Sequence, residues 1–410
     1  MANLTRRLMV IAAAFAAGLA AERDAGGAMA VEVGQSGRSQ VGSYDAQWKE
    51  LLAKAQEERE LVVVMGGTDS ASDRPILQWF QKKYGIKVIA STGSGSKNAD
   101  RLLAERARGR YTVDVSMVGA SSLDRLRKAG ALKPVEPLII DPTILHRSPE
   151  RWWLADKVYW TDRDKKYSMA MTLRVSNLWD IFYNTKLLSR EEAASIKSYK
   201  DLLRPEFRGR IAATGQASLG GGVTTRTRLW LTLGEAFFKR LYLESKLQVI
   251  GADSDRELAE GLARGKWAIG LGATAEHEKV IKLGLPVASI TDNRTMEEGL
   301  VTEVRGTLAA VDRGPHPYAQ QLFMNWWYSQ EGMEAQHTLT EDPAPSPSLR
   351  RDVAQGKVPD REWKRVQEIP RLVAEKKIKV LDQASEEWVK AEDESLAVLR
   401  KIYDQLGYPY

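Results

Sequence analysis

The sequence of 410 residues contains no cysteine. A disulfide framework is therefore excluded, and so is the lipid-bearing cysteine that tethers an exported lipoprotein to a membrane. A cysteine nucleophile is excluded for the same reason. If the protein is exported, we expect it to be freely soluble after export.

Several motifs of catalysis and cofactor binding are also missing. The four histidines, at positions 146, 277, 316 and 337, lack the spacing of metal ligands. Gly93–Ser96 lacks the third glycine of a dinucleotide fingerprint, and the chain has neither a Gly-Lys-Ser/Thr phosphate loop nor a Gly-x-Ser-x-Gly nucleophile elbow. These absences leave hydrolase and cofactor chemistry without support. We therefore expect a protein that is not an enzyme and that holds no cofactor or metal ion.

Positive charge is modest and dispersed. The formal net charge is +6, and basic residues alternate with acidic ones, as where Lys165 and Lys166 lie beside Asp162 and Asp164. A nucleic-acid partner would require a basic stripe that follows a phosphate backbone. The sequence has no such stripe, so we expect no nucleic-acid partner. A preference for small anionic ligands is compatible with this charge.

The first thirty residues contain the three parts of an export signal. Arg6 and Arg7 precede an apolar run, Leu8–Ala21, and Ala28–Ala30 supplies small residues at the spacing of a signal peptidase site. The apolar run is too short to span a bilayer comfortably. We therefore expect residues 1–30 to be a signal peptide and the mature protein to be periplasmic. The secretory route is favoured over the twin-arginine route, because the residues after the arginine pair fit the latter poorly.

Strand and helix periods alternate in two blocks of the chain. The first block begins with the strand Leu61–Met65 and includes a helix that ends at Lys128, and the second begins with the strand Arg210–Ala213 and ends with the strand Pro286–Ile290. Such alternation predicts βαβ units and mostly parallel sheets.

Two extended segments connect the blocks, Asn177–Leu187 on the way out and Val301–Val311 on the way back. We therefore expect an α/β fold of two doubly wound lobes joined by a two-segment hinge, with C-terminal helices. The expected division is a first lobe over 31–176, a second lobe over 177–305, and a return to the first lobe with the C-terminal helices over 306–410.

Small polar residues follow nearly every predicted strand. Ligands of open α/β sheets bind outside the carboxyl ends of the strands, where backbone N–H groups and hydroxyls donate hydrogen bonds. In a single loop, glycine and serine are better explained as turn residues. Their repetition favours a ligand cleft between the lobes. The predicted ligand-binding residues are Gly67, Thr68, Ser94, Gly95, Ser96, Ala120, Ser121, Gly215, Gly221, Gly222, Thr224, Thr225, Arg226, Gly272 and Ala273.

Arg226 is the one cation in this set. It lies near the start of the long helix predicted over 226–243, and a guanidinium pairs well with a carboxylate or a phosphate. A structural or solvated arginine is the alternative. The loop donors together with this cation predict an anionic ligand.

Several segments of the chain, in a consistent order, resemble those of a known family. These are Phe182–Leu187, Ser198–Leu203 running into Pro205–Ile211, Gly261–Ile269, Pro315–Ala319 followed by Phe323–Trp326, and Ser346–Val353. They are similar to extracellular solute-binding proteins of ABC importers, in the ferric-iron-binding-like branch. The resemblance covers residues 58–410 and implies a two-lobed type II periplasmic binding protein that closes on its ligand and delivers it to a membrane permease.

One departure from the family concerns its cargo. Ferric-binding members carry adjacent tyrosines shortly before the segment equivalent to Pro347–Val353, and here that region is Gln336–Pro343 without tyrosine. The resemblance therefore implies a cargo other than a directly bound ferric ion, such as a phosphorylated or carboxylated organic anion.

The expected function is that of a monomeric periplasmic receptor for a small, anionic organic solute, working with the permease of an ABC importer. Three alternatives stay open at this point. They are a secreted enzyme on the same scaffold, a ligand-sensing protein that contacts a membrane sensor, and a binder of a chelated metal.

Overall fold

A computed structural model of the chain describes residues 36–66, 72–217, 222–251, 254–291, 295–342 and 345–408. The chain divides into two compact units, Met1–Asp45 and Ala46–Tyr410. Of the first unit the structure describes only the beginning of one helix, so the predicted signal peptide lies outside the described residues. The lobes, the sheets and the cavities all belong to the second unit.

The strands of the described residues are β1 Glu60–Met65, β2 Lys87–Ser91, β3 Val115–Met117, β4 Thr172–Ser176, β5 Ile181–Asn184, β6 Ile211–Thr214, β7 Gln248–Ile250, β8 Ile269–Leu271, β9 Val287–Ser289, β10 Leu300–Arg305, β11 Ala309–Ala310 and β12 Ile378–Leu381.

The α-helices are α1 Ser36–Glu58, α2 Arg74–Tyr84, α3 Gly95–Ala107, α4 Ala120–Lys128, α5 Pro142–Leu145, α6 Arg190–Ser195, α7 Val223–Lys239, α8 Asp255–Ala263, α9 Thr274–Lys282, α10 Pro317–Tyr328, α11 Gln330–Thr338, α12 Asp360–Gln367, α13 Ile369–Ala374 and α14 Glu386–Leu406. Short 3-10 helices lie at Glu136–Leu138, Tyr199–Leu203 and Pro205–Phe207, and a π-helix follows α7 at Arg240–Glu244.

The first lobe is built on a sheet with the strand order β11-β3-β1-β2. β1 pairs in parallel with β2 and β3, and β11 closes the sheet in the antiparallel direction. Leu61, Val63 and Val64 of β1 are fully buried, as expected for a central parallel strand that is covered by helices on both faces.

The second lobe is built on a sheet with the strand order β7-β6-β8-β5-β9. β6 pairs in parallel with β7 and β8, whereas β5 is antiparallel to β8 and β9. Helices α7, α8 and α9 each lead away from a strand of this sheet, as in a doubly wound fold.

A third sheet, β12-β10-β4, lies between the two lobes. We call it the hinge sheet. Alternate residues of a strand point to opposite faces, and here Leu173, Val175 and Val304 pack into the core of the first lobe. On the other face Val301 and Leu381 belong to the core of the second lobe. The hinge sheet is therefore shared by both hydrophobic cores.

The last helix completes the second lobe. α14 packs along α7, and Trp388, Leu399 and Ile402 lie in the core of the second lobe. By contrast, Val366 of α12 and Leu372 of α13 lie in the core of the first lobe. The C-terminal helices thus cross the hinge for a third time.

The expected fold of two doubly wound lobes with a hinge and C-terminal helices is confirmed. The sequence did not predict β12, which makes the hinge sheet three-stranded. Among the described residues, no helix combines the length and the apolar character needed to cross a membrane.

A buried ion pair connects the hinge sheet to the second lobe. Arg228 of α7 donates a hydrogen bond from Nη1 to Oε1 of Glu303 on β10 at 2.7 Å, and their side chains are 13% and 4% exposed. Removing one partner of such a pair leaves an uncompensated buried charge, which costs about 3–5 kcal/mol.

We therefore expect Glu303→Ala to lower the free energy of unfolding, measured by urea denaturation, by about 3 kcal/mol or more. Glu260→Ala is the matched control, because Glu260 pairs with Arg256 and Arg264 at the exposed surface of α8. Loss of such exposed ion pairs should leave the free energy of unfolding nearly unchanged. Equal effects of the two substitutions would contradict the importance of the ion pair.

Candidate functional site

Two adjacent cavities lie along the hinge sheet and form one cleft. The smaller has a volume of about 310 Å³, and the larger one of about 560 Å³. Pro345 and Ser346 line both cavities, so a single extended segment forms their common wall. The larger volume is suited to a small organic molecule.

The smaller cavity belongs to the first lobe and the hinge sheet. Met65 and Gly66 at the end of β1 and Met117 at the end of β3 form one side, and Thr172 of β4 lies among its other lining residues. The carboxyl ends of two parallel strands thus open into this space, where ligands of open α/β sheets bind.

The loops of the first lobe meet at this edge through Gly66, Gly95 and Gly119, and the tightest contact is at Gly66. A Cβ atom on Gly66 would lie 2.3 Å from Cα of Gly95, so a side chain at position 66 would force the loops apart. A Cβ atom on Gly95 would in turn lie 3.5 Å from the backbone nitrogen of Gly119. The loops after β1, β2 and β3 therefore lie against one another at this edge of the sheet.

The larger cavity lies between the hinge sheet and the second lobe. Arg174 of β4 and Arg305 of β10 line it from the hinge sheet, and Arg361 lines it from α12. Ala273, Thr274 and Glu278 line it from the second lobe. Three arginines therefore line this cavity beside three acidic residues, whereas the lining of the smaller cavity has two acidic residues and no basic one. The larger cavity is thus the more favourable place for an anionic group.

The environment of Arg174 leaves its guanidinium available. Its cross-strand neighbour is Glu303, but Arg228 binds that carboxylate. Among the described residues, no side chain forms an ion pair with Arg174 within the 4.0 Å limit. An arginine that is half-buried at the wall of a cavity, and that no acidic side chain of the described ranges pairs with, is a suitable ligand contact.

The loop after β8 is held in position by the residues around it. Gly272 has φ +81°, and a Cβ atom there would lie 2.8 Å from Nε1 of Trp179, so only glycine fits. Ala273 follows with φ +49°, a left-handed conformation that non-glycine residues rarely adopt. Such conformations concentrate at ligand sites, where the surrounding structure enforces them.

His277 and Asp180 hold the loop after β8 in this conformation through hydrogen bonds. Nδ1 of His277 lies 2.9 Å from the carbonyl oxygen of Gly272 and 3.1 Å from that of Ala273. Since carbonyls only accept, Nδ1 carries the proton. Burial lowers the pKa of His277 to about 4, so the ring is neutral near pH 7. Thr274 donates a hydrogen bond from Oγ1 to Oδ2 of Asp180 at 2.7 Å, which fixes the start of α9.

The structure distributes the predicted site residues over several places. Gly67, Thr68 and Gly221 lie outside the described residues. Gly95, Ala120 and Ser121 lie at the first turns of α3 and α4, whereas Ala273 lines the larger cavity and Gly272 precedes it. Gly222, Thr224 and Thr225 begin α7 or lie in its first turn. Their ligand contacts stay a prediction.

Three of the predicted residues have other contacts in the structure. Ser94 and Ser96 are exposed and lie 2.8 Å apart between their Oγ atoms. Gly215 is buried, and its N–H donates to the carbonyl oxygen of Ile250 at 2.8 Å. None of the three lines either cavity.

Arg226 does not provide the cation of the cleft. Its side chain is fully buried between α7 and α14, where Nε donates to Oγ of Ser395 at 3.1 Å and Nη1 donates to the carbonyl oxygen of Gln216. Burial lowers the pKa of Arg226. The structure thus favours the structural alternative for this residue, because the guanidinium joins two helices of the second lobe.

The arginines of the hinge sheet were missed by the sequence reasoning, which searched the loops after the strands. Arg174 and Arg305 lie within or at the end of strands that cross between the lobes. The sequence did contain a signal for them, since they are polar residues at alternate positions of strands that are otherwise largely apolar. Such residues lie on the face of the strand that points away from the core.

Among the described residues, no three histidine, aspartate or glutamate side chains are grouped so that they could hold a metal ion. The smaller cavity contains two carboxylates, from Asp73 and Asp342. The region between residues 336 and 343 contributes Gln336 and Thr340 to the same wall, and it contains no tyrosine.

The chain matches the family model of the bacterial extracellular solute-binding proteins over residues 64–334. It belongs to this family. Its members are binding proteins of ABC transporters, and the resemblance inferred from the sequence segments is confirmed. No curated protein matches the chain.

Solved structures show the same type II periplasmic binding protein fold. An ABC transporter protein from Clostridium perfringens is 17% identical, with a TM-score of 0.57, and the alignment covers 83% of this chain and 99% of that one. Trichodesmium IdiA (FutA), in complex with iron and citrate, is 17% identical, with a TM-score of 0.54 and coverages of 85% and 100%.

A third structure of this fold is the spermidine/putrescine-binding protein PotD from Streptococcus pneumoniae. It is 16% identical, with a TM-score of 0.52, and the alignment covers 84% of this chain and 99% of that one. At these identities the likeness concerns the fold alone.

The close approach of the first-lobe loops can be tested by adding single methyl groups. We expect Gly66→Ala to lower the free energy of unfolding by about 3 kcal/mol, because the new Cβ meets backbone atoms that cannot rotate away. Gly119→Ala is the control, since a Cβ there meets no described atom within 4 Å, and it should cost about 1 kcal/mol or less as an N-cap change. Urea denaturation compares the two. A Gly66→Ala protein as stable as wild type would contradict the packing of these loops.

Proposed function

We propose that the protein is the solute-binding component of an ABC importer that captures a small anionic organic solute in the cleft along the hinge sheet. Closure of the lobes about the hinge would exclude water and strengthen the contacts to the solute. The protein would then deliver the solute to a membrane permease. We further propose that it acts as a periplasmic monomer after removal of residues 1–30.

The observation that supports this proposal is the larger cavity with its three arginines. Arg174 and Arg305 belong to the hinge sheet, so an anion that binds them also contacts the part of the molecule about which the lobes would move. A guanidinium in a partly enclosed cavity binds a carboxylate or a phosphate through charge-assisted hydrogen bonds. A polyamine would place positive charge beside Arg174, which has no ion-pair partner among the described residues, and cations repel one another.

An enzymatic function has less support at this cleft. Among the residues that line the two cavities, no cysteine or histidine is present, and Asp73, Asp255, Asp342, Glu278 and Glu362 are the carboxylates. No serine there has a histidine partner within the described residues, so the arrangement of an activated nucleophile is missing. Reversible binding requires only the donors and charges that the cleft supplies.

The solute can be identified first by native mass spectrometry of protein that was purified without denaturation, and then used for titration. We expect Arg174→Gln to weaken its binding about tenfold to a hundredfold, because a hydrogen bond to a charged group contributes about 1.5–3 kcal/mol. Since Arg174 has no ion-pair partner among the described residues, the substitution should leave the melting temperature near that of wild type.

Arg240→Gln serves as the matched control. Arg240 is exposed at the end of α7 and pairs with Glu244, remote from the lining of both cavities. Calorimetry should show unchanged affinity for this variant. An affinity of Arg174→Gln within twofold of wild type would overturn the placement of the anionic group at the hinge sheet.

A further inference from the structure

The larger cavity carries an anionic side chain opposite its arginines. Glu278 of α9 lines it from the second lobe, whereas Arg174 lines it from the hinge sheet. The remaining carboxylates of the lining are Asp255 and Glu362, and Arg361 lies 3.4 Å from Oε1 of Glu362. The cavity is therefore not uniformly basic, and both kinds of charge reach it from different elements.

Glu278 is comparable to Arg174 in lacking a protein partner. On the same helix, Glu276 forms an ion pair with Lys279 at 2.6 Å, which removes that lysine as a partner. Among the described residues, no lysine, arginine or histidine lies within the 4.0 Å ion-pair limit of the Glu278 carboxylate. Glu278 is half-buried at the wall of the cavity.

Arg174 and Glu278 carry opposite charges that no ion pair within the described part of the chain neutralises, and this restricts what the cavity can enclose. When the lobes close, each charge loses water, and a charge that is left unpaired in a partly dry site is costly. A solute with only an acidic group would satisfy Arg174 but leave Glu278 unpaired beside a negative charge. A solute with only amines would leave Arg174 unpaired beside a positive charge.

We infer that the solute is zwitterionic, with an acidic group, carboxylate or phosphate, bound at Arg174 and an ammonium group bound at Glu278. This inference rests on the proposed function, since it assigns the chemical class of the solute to the same cleft. It adds a specificity-determining residue on the second lobe. A ligand held between β4 and α9 contacts both sides of the cleft and therefore stabilises the closed arrangement.

Two matched series of compounds test the inference, one for each acidic group. The first is 4-aminobutyrate with butyrate and butylamine, and the second is phosphoethanolamine with ethyl phosphate and ethylamine. Calorimetry with the full mature chain, freed of retained solute by dialysis, measures each affinity. We expect the zwitterion of at least one series to bind tighter than both of its singly charged analogues by about tenfold or more.

Two variants connect this preference to the two side chains. Glu278→Gln should reduce the preference for the zwitterion over its acid analogue to about twofold or less. Arg174→Gln should weaken the binding of both the zwitterion and its acid analogue, because both carry the acidic group. Glu276→Gln, on the same helix but paired with Lys279, should retain the preference. Melting temperatures check that all variants are folded.

The inference is overturned if neither zwitterion binds, if the acid analogues bind as tightly as the zwitterions, or if Glu278→Gln retains the full preference. The proposed function has a separate criterion. If the retained solute is an anion without an amine and its binding depends on Arg174, the inference fails while the proposed function stands. If the retained solute is bound independently of Arg174, the proposed function fails as well.

Discussion

The hinge sheet is the constraint on which the rest of the structure depends. Its strands β4, β10 and β12 belong to no single lobe, because one face packs into the first core through Leu173 and Val304 and the other into the second core through Val301. Backbone hydrogen bonds hold the sheet rigid while each lobe is anchored to it by hydrophobic burial. A cleft that lies along such a sheet has one fixed wall and one wall on each lobe.

This arrangement also explains why charged groups gather there. The face of β4 and β10 that turns away from the first core cannot be covered completely by the second lobe, since a cleft must remain open between them. Glu303 is covered and needs its partner Arg228, whereas Arg174 and Arg305 reach the larger cavity. Glu303 and Arg174 are cross-strand neighbours, so the same face of the hinge sheet carries a buried ion pair next to a cavity-lining cation.

Much of the fold could be predicted from the sequence, because strand and helix periods are local. The loops after β1, β2 and β3 meet, and their close approach requires glycine at position 66. The site was harder to predict than the fold.

Arg226 lies at a helix start, where a ligand cation is plausible, yet it is enclosed by α14, which comes 160 residues later in the chain. Arg174 is a polar residue in a strand, and it lines a cavity because β4 pairs with β10 next to the second lobe. Such long-range pairings are not encoded in local patterns.

Small-angle X-ray scattering tests the central claim most directly, namely that solute binding closes the lobes about the hinge sheet. The radius of gyration is compared for the solute-free mature protein and for the same protein saturated with the molecule it retains on purification, with saturation established by calorimetry. The account predicts a smaller radius for the saturated protein. An unchanged radius at proven saturation would contradict it.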